Sequence, residues 1–284
     1  MTIFWHRRDL RISDNAGLYK ALKHGGDVLP IFVFDTTILD ELPEDDQRVL
    51  FIHQEIAKLK SEYQAHGGDL KVYYGKPLEI WKQIISEFEA LQGVFCNRDY
   101  EPYALERDQQ VFELLKNHNI TFKGAKDHVI FEKNEVLKDD GTPYKVFTPY
   151  SRKWKSLVNE FYLKPYPVEK YLRNLKSIID KSPLISLKEM GFSSEQKVKF
   201  PSRKVDQTVV KNYHETRDLP AIKGTTKMSL HLRFGTVSIR ELAKKAYINE
   251  KYLNELIWRD FYQMIIFHFP YSVEKSFKAE YDTI

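Results

Sequence analysis

Between residues 254 and 262 the chain reads Asn-Glu-Leu-Ile-Trp-Arg-Asp-Phe-Tyr. On a helix, Glu255, Trp258, Arg259 and Tyr262 fall at i, i+3, i+4 and i+7, so a carboxylate, an indole, a guanidinium and a phenol share one face. The other side carries Leu253, Leu256, Ile257, Phe261, Met264 and Phe267. A helix this apolar is expected to be buried, with its polar stripe lining a cavity rather than facing open solvent. An indole beside a guanidinium and a carboxylate suits a flat, charged ligand that forms hydrogen bonds.

Two further clusters carry side chains capable of chemistry. Tyr213, Arg217-Asp218 and Pro220 precede Gly224-Thr225-Thr226-Lys227-Met228-Ser229. A glycine, hydroxyl residues and a lysine ahead of a helix offer N–H and hydroxyl donors to a phosphate. Taken alone, the loop is better explained as an ordinary capped turn, because short Gly/Thr/Ser loops are common. Near the start, residues 4–15 run from a strand into a loop dense with arginine and aspartate, and Ser13, Asp14 or Asn15 then caps a helix. Chemistry alone favours a loop stitched together by ion pairs. Neither a Gly-x-Gly-x-x-Gly run nor a Walker loop occurs at this turn, which disfavours an ordinary dinucleotide cradle there.

These residues need a scaffold, and its rhythm is visible. Strand-like apolar runs cover 3–5, 28–34, 70–74, 93–96 and 120–122. Val49, Ile52, Ile56, Leu59 and Tyr63 recur at helical spacing, and Gly67-Gly68 ends that helix. Pro77 and Pro102 suit the first turns of two more helices. The pattern predicts an α/β domain over 1–126, an open, mostly parallel five-stranded sheet with flanking helices, because parallel neighbours need crossovers. From about Asp127 the rhythm breaks, and 127–200 reads as a long interdomain connector lying over the surface. Residues 201–284 read as the start of an all-helical domain, with helices over 205–215, 238–247 and 253–269.

The totals narrow the class. The 284 residues, 42% of them apolar, fit a globular protein of one large or two ordinary domains, and no run approaches transmembrane length. Nothing at the start resembles a secretory signal, so a cytoplasmic location is expected, with no membrane contact. The single cysteine, Cys96, sits in an apolar run and reads as a core thiol, and no metal site is expected. A net charge of +4 permits a polyanionic partner without demanding one. Seventeen Tyr, 18 Phe and 4 Trp supply a core with aromatics to spare for stacking on bases or a planar cofactor.

Together the clusters resemble one family. Trp5-His6-Arg7-Arg8-Asp9-Leu10-Arg11 with Asp14-Asn15 resembles the opening signature of the DNA photolyase/cryptochrome family, and Tyr144-Lys145-Val146-Phe147-Thr148-Pro149-Tyr150 resembles its linker motif. The Tyr213–Ser229 cluster, Phe234-Gly235 and the 254–262 stretch resemble the start of its flavin-binding helical domain. The resemblance runs in order along the whole chain. It implies an antenna domain over 1–126, a connector over 127–200 and an incomplete FAD-binding domain over 201–284. It implies light-driven repair of cyclobutane pyrimidine dimers in UV-damaged DNA, with reduced FAD donating an electron to a dimer flipped out of the duplex.

By the same resemblance, Tyr213, Thr225, Thr226, Met228 and Ser229 would surround the FAD phosphates and ribityl chain, with Arg259 at the cofactor's charged part. Glu255 and Trp258 would face the lesion, Trp258 by stacking and Glu255 by hydrogen bonding to a pyrimidine edge. Tyr262 would line that pocket, and Arg217 would contact a DNA phosphate. The chain also departs from the pattern. Tyr252 stands where some members have Trp, keeping an aromatic wall, and Thr226 and Lys227 replace Ser and Arg. Tyr103-Ala104 stands where folate-using members carry Asn-Glu. That disfavours a folate antenna held in this way and leaves a deazaflavin, a flavin or none open. A cryptochrome-type signalling photoreceptor and a nucleotide- or chromophore-binding module are the alternatives. A monomer without an obligate protein partner is expected.

Family members continue through further helices beyond the point matched by Ile284. The expectation is therefore that this polypeptide alone binds FAD weakly or not at all and repairs no dimers. Visible absorbance of the purified chain should show well under one flavin per chain, and stoichiometric co-purifying flavin would overturn this.

Overall fold

The five apolar runs pair as parallel strands: β1 (Thr2–His6), β2 (Val28–Asp35), β3 (Lys71–Gly75), β4 (Gly93–Asn97) and β5 (Thr121–Ala125). Their spatial order is β3-β2-β1-β4-β5, and every neighbouring pair is parallel. The structure, a computed structural model, describes residues 1–177 and 182–283. β1 and β4 are buried throughout, as parallel strands covered by helices on both faces must be. Each strand runs one to three residues further than its apolar run, because end residues such as His6, Asp35 and Asn97 are polar and carry no hydrophobic signal.

The crossovers are α1 (Ala16–His24), α2 (Thr36–Leu39), α3 (Gln47–Ala65), α4 (Pro77–Glu87) and α5 (Pro102–Asn117). Asn15 caps α1, its side-chain oxygen accepting from Leu18 N at 3.1 Å. Pro77 and Pro102 open their helices, as the spacing predicts. Cys96 is buried, and burial pushes its thiol up to about 11, so it is a core residue rather than a nucleophile.

The later part forms a helical lobe: α6 (Phe147–Leu157), α7 (Glu160–Leu163), α8 (Gln207–Lys211), α9 (Tyr213–Thr216), α10 (Ser229–Arg233), α11 (Ile239–Ala246) and α12 (Glu250–His268). The helix expected over 205–215 is two short ones that meet at Asn212. Among the described residues, no helix is long and apolar enough to cross a membrane.

The stretch expected to lie over the surface instead feeds two cores. Ile130, Phe131, Val136, Tyr150, Trp154 and Leu163 pack with α11 and α12. Val168, Leu172, Leu175, Leu187 and Met190 pack on the sheet, where Lys176 N also donates to Val28 O at 2.8 Å. The spacing of these apolar residues is irregular because most lie in turns and 3₁₀ segments, so no period betrays their burial.

The arginine-rich loop after β1 is stitched by ion pairs, as its composition implies, but its partners lie across the molecule. Arg11 Nη2 donates to Asp127 Oδ2 at 2.6 Å, and Arg240 of α11 donates to Asp127 Oδ1 at 2.7 Å and to Asp14 Oδ1 at 2.9 Å. Ala16 N and Tyr166 N donate to the same two carboxylates. All four charged residues are buried. Burial alone would raise the Asp127 carboxyl, but the guanidinium groups of Arg11 and Arg240 outweigh it and hold it well below the carboxylate range. Its stabilising contribution is therefore full above the ordinary value of 3.8 and is lost as pH falls from there.

Close to this network, Gly235 adopts φ +61°, and a Cβ there would come within 2.2 Å of Arg8 O. Leu10 N bonds to Phe234 O at 3.0 Å at the same seam. Replacing Asp127 with alanine leaves a buried guanidinium short of its carboxylate. Urea denaturation of Asp127→Ala should show a loss of about 3–5 kcal/mol, as for other broken buried pairs.

Candidate functional site

The helical lobe gathers most of the side chains singled out from the sequence. Tyr213, opening α9, sets its ring edge-on to Tyr252 of α12 with centroids 5.1 Å apart. The Thr226 and Tyr252 hydroxyls share a hydrogen bond of 2.9 Å. The loop between α9 and α10 folds back on α9 so closely that a Cβ at Gly224 would lie 2.1 Å from Thr216 O. Only glycine permits that approach. Beyond it, Thr225, Lys227 and Ser229 are exposed, while Met228 buries its side chain in the helical core and anchors the loop. The loop thus presents two hydroxyls and one ammonium outward, a donor set that matches phosphate oxygens.

The polar stripe of α12 does not line an enclosed cavity, contrary to the expectation from its apolar composition. Tyr262 is 56% exposed, and Glu255 and Trp258 are half-buried on the same outer side. Packing with α6 and α11 satisfies the apolar side of the helix, so the stripe is left facing outward. Trp258 lies face to face with Phe147 of α6 (3.6 Å between centroids, 5° between planes), and Tyr262 follows at 5.3 Å and 24°. Glu255 pairs with Arg217, whose guanidinium sits 5.5 Å from the Tyr213 ring centre. Arg217, Tyr213, Glu255, Trp258 and Tyr262 therefore lie on one outer side, and the buried Tyr252 backs the Tyr213 ring.

Arg259 stands apart from that face. Its guanidinium donates to His128 O and, at 3.3 Å, to Leu232 O, and burial lowers it to about 10. Its neighbour Asp260, which the sequence reading passed over, is a hub. Asp260 Oδ2 accepts from Ile130 N at 3.1 Å, Phe131 N at 3.1 Å and Trp154 Nε1 at 3.0 Å. Burial pushes its carboxyl up to about 6 against the Trp154 hydrogen bond and the Arg259 charge. Phe147 was visible in the linker motif, but nothing in its spacing pointed to Trp258. Among the described residues, no cluster of His, Cys, Asp or Glu is placed to hold a metal ion.

Away from this face, a concavity of about 510 Å³ opens at the carboxyl ends of β1 and β2 and continues past the β4–α5 turn. The strand order reverses between β1 and β4, the place where open α/β sheets hold ligands. Trp5, Phe34, Ile52 and Phe234 give it apolar walls, and Arg8, Arg48, Arg107 and Arg233 stand among its lining residues. The Arg7 and Arg107 guanidinium carbons lie 5.1 and 5.0 Å from the Trp5 ring centre. Tyr103 and Ala104, the pair weighed for folate, both line it, and Tyr103 OH donates to Asp35 at 2.5 Å.

Comparison with known proteins adds four likenesses. A family model described as DNA photolyase matches residues 2–170. A deoxyribodipyrimidine photo-lyase of Synechococcus sp. is 28% identical over 312 residues, covering 98% of this chain and 62% of that protein. An uncharacterized 31.6 kDa protein of Synechococcus sp. strain PCC 6716 is 31% identical, covering 91% of this chain and 98% of its own length. A solved bacterial class III photolyase from Agrobacterium tumefaciens has a TM-score of 0.79 at 25% identity, over 99% of this chain and 62% of that one. The chain thus spans about three fifths of the length of the photolyases it matches.

Asp260 is expected to govern how α12 docks. Asp260→Ala strips three buried donors of their acceptor, each costing about 1–3 kcal/mol and not additively. A loss on the order of 3 kcal/mol in denaturant titration is expected. Asp260→Asn keeps an acceptor oxygen and should lose clearly less.

Proposed function

The chain belongs to the DNA photolyase family, and on that premise we propose that it serves light-driven repair of cyclobutane pyrimidine dimers in UV-damaged DNA. The observation that carries this reading is the outward face of α12. There an indole fixed in a parallel stack with Phe147 stands beside a phenol, a carboxylate and an arginine. Such a face suits a pair of unstacked pyrimidines, with the aromatic surface of Trp258 and Tyr262 receiving the rings and Glu255 accepting from a base edge. Arg217 reaches a neighbouring phosphate. The Arg217–Glu255 pair is exposed, so parting it costs little, and both ends then gain charge-assisted bonds to DNA.

FAD, when bound, would supply the electron. Tyr213, Thr225, Thr226, Met228, Ser229 and Tyr252 are the residues that would hold it, through the donor-rich loop and the Tyr213–Tyr252 corner. Their chemistry fits a diphosphate beside a planar ring system. The crevice at the sheet's carboxyl edge fits a flat antenna chromophore, with Tyr103 and Ala104 replacing the pair that would favour folate.

Two measurements test this reading. The first is binding to an oligothymidine that carries a dimer. Trp258→Ala should weaken it by about 1–3 kcal/mol, roughly five- to 150-fold, while leaving undamaged DNA less affected. Arg217→Ala should weaken damaged and undamaged DNA alike and lower the salt slope by about one phosphate. The second is dimer splitting by the flavin-reconstituted protein in its full encoded length, which should require light. Photoreduction of the flavin without splitting would favour a signalling photoreceptor instead.

A further inference from the structure

A groove of about 390 Å³ lies between α3 and residues 196–203, shares none of its lining residues with the sheet-edge crevice, and has no part in the proposed repair. Its walls are firmly placed. Gln47 bonds to Glu195 O and to Lys197 N, and Lys197 pairs with Asp45, which staples the segment along α3. At the other end, Pro201 O meets His231 Nε2 at 3.0 Å.

The floor is aromatic. Phe51 and Phe200 meet edge-on with centroids 5.1 Å apart, and His231 lies 5.8 Å from Phe51. The wall is cationic. The buried Glu55 carboxylate accepts from Lys58 Nζ at 2.7 Å and from Arg203 Nη2. One carboxylate therefore fixes two cations side by side and leaves their remaining N–H groups unused. Lys199, also on the groove, is exposed and has no hydrogen-bond or ion-pair partner among the described residues. Three cations thus face one carboxylate, which both of its neighbours already neutralise.

We propose that this groove is a binding site for a phosphate monoester carrying a flat aromatic group, of the nucleoside monophosphate class. The phosphate sits against Lys58, Lys199 and the free edge of Arg203, because a dianion gains charge-assisted bonds from donors that are already oriented. The ring lies against Phe200 and Phe51, where a planar group replaces water on an apolar floor. Glu55 is a positioning residue that holds the cations and does not touch the ligand. The site is separate from the DNA-facing surface of α12 and does not depend on the reading given to that surface.

Isothermal titration of the protein with AMP tests this, with adenosine and inorganic phosphate as comparison ligands. Saturable binding of one AMP is expected, at least about tenfold tighter than either comparison ligand. Lys199→Glu should weaken AMP by about tenfold or more, and because Lys199 is exposed and makes no hydrogen bond or ion pair among the described residues, the fold should be unaffected. Arg107→Ala, in the sheet-edge crevice, should leave AMP binding unchanged. The proposal fails if AMP does not saturate, if adenosine binds as tightly as AMP, or if Arg107→Ala rather than Lys199→Glu abolishes binding.

Discussion

The buried ion network of Arg11, Asp14, Asp127 and Arg240 is the constraint on which the rest of the architecture rests. Two guanidinium groups and two carboxylates taken out of water are costly unless every charge is paired and hydrogen-bonded. Here they are, by one another and by Ala16 N, Tyr166 N and Gly235 O. That requirement fixes four distant segments at once: the loop after β1, the turn after β5, the irregular segment at Tyr166, and the start of α11. With those fixed, the sheet's carboxyl edge must face α10, which closes one side of the crevice. The turn after β5 leads directly into Ile130 and Phe131, whose backbone N–H groups meet Asp260. A network with no chemistry of its own thereby sets the relation between the crevice and the outward face of α12.

Much of this architecture is legible in the sequence, for reasons that differ element by element. The central strands β1, β2 and β4 declare themselves because they are buried on both faces and so read as unbroken apolar runs. α1, α4 and α5 declare themselves by Asn15, Pro77 and Pro102, residues with specific work at helix starts. The charged loop at 7–14 could be read as ion-paired from composition alone, since so many opposite charges in so few residues must neutralise one another. Its partners could not be read. Arg240 lies in an unremarkable amphipathic helix, and Asp127 is one acid among many. Long-range pairing leaves no periodic trace.

The α12 stripe shows the same division. Helical spacing correctly places Glu255, Trp258 and Tyr262 on one face, yet it cannot say what lies opposite. Arg259, in the same register, is drawn inward by the carbonyls of His128 and Leu232, because a seam between two lobes exposes backbone acceptors that need donors. Asp260 turns about 100° further round the helix and meets three donors from the other segment. Adjacent residues of opposite charge thus serve different partners. Each is perturbed chiefly by burial, the guanidinium downward and the carboxyl upward, and the charge of its neighbour opposes the shift without reversing it.

These contacts bear directly on Trp258. An indole that must receive a flat ligand gains from being held in place beforehand, since ordering it on binding would consume part of the stacking energy. Phe147 holds the indole at 3.6 Å, but Phe147 stands at the first residue of a helix with no side-chain cap, so its position depends on how α6 is anchored. The anchor is Trp154, two turns along α6, whose indole N–H reaches Asp260 and whose ring meets Phe131 edge-on at 5.5 Å. The path runs from Asp260 through Trp154 and α6 to Phe147 and back to Trp258, two residues from where it began. A closed loop of this kind makes the attitude of the outward indole a property of the buried carboxylate. It gives a physical reason for the linker motif and the 254–262 stretch to act as one unit, although Phe147 and Asn254 lie 107 positions apart.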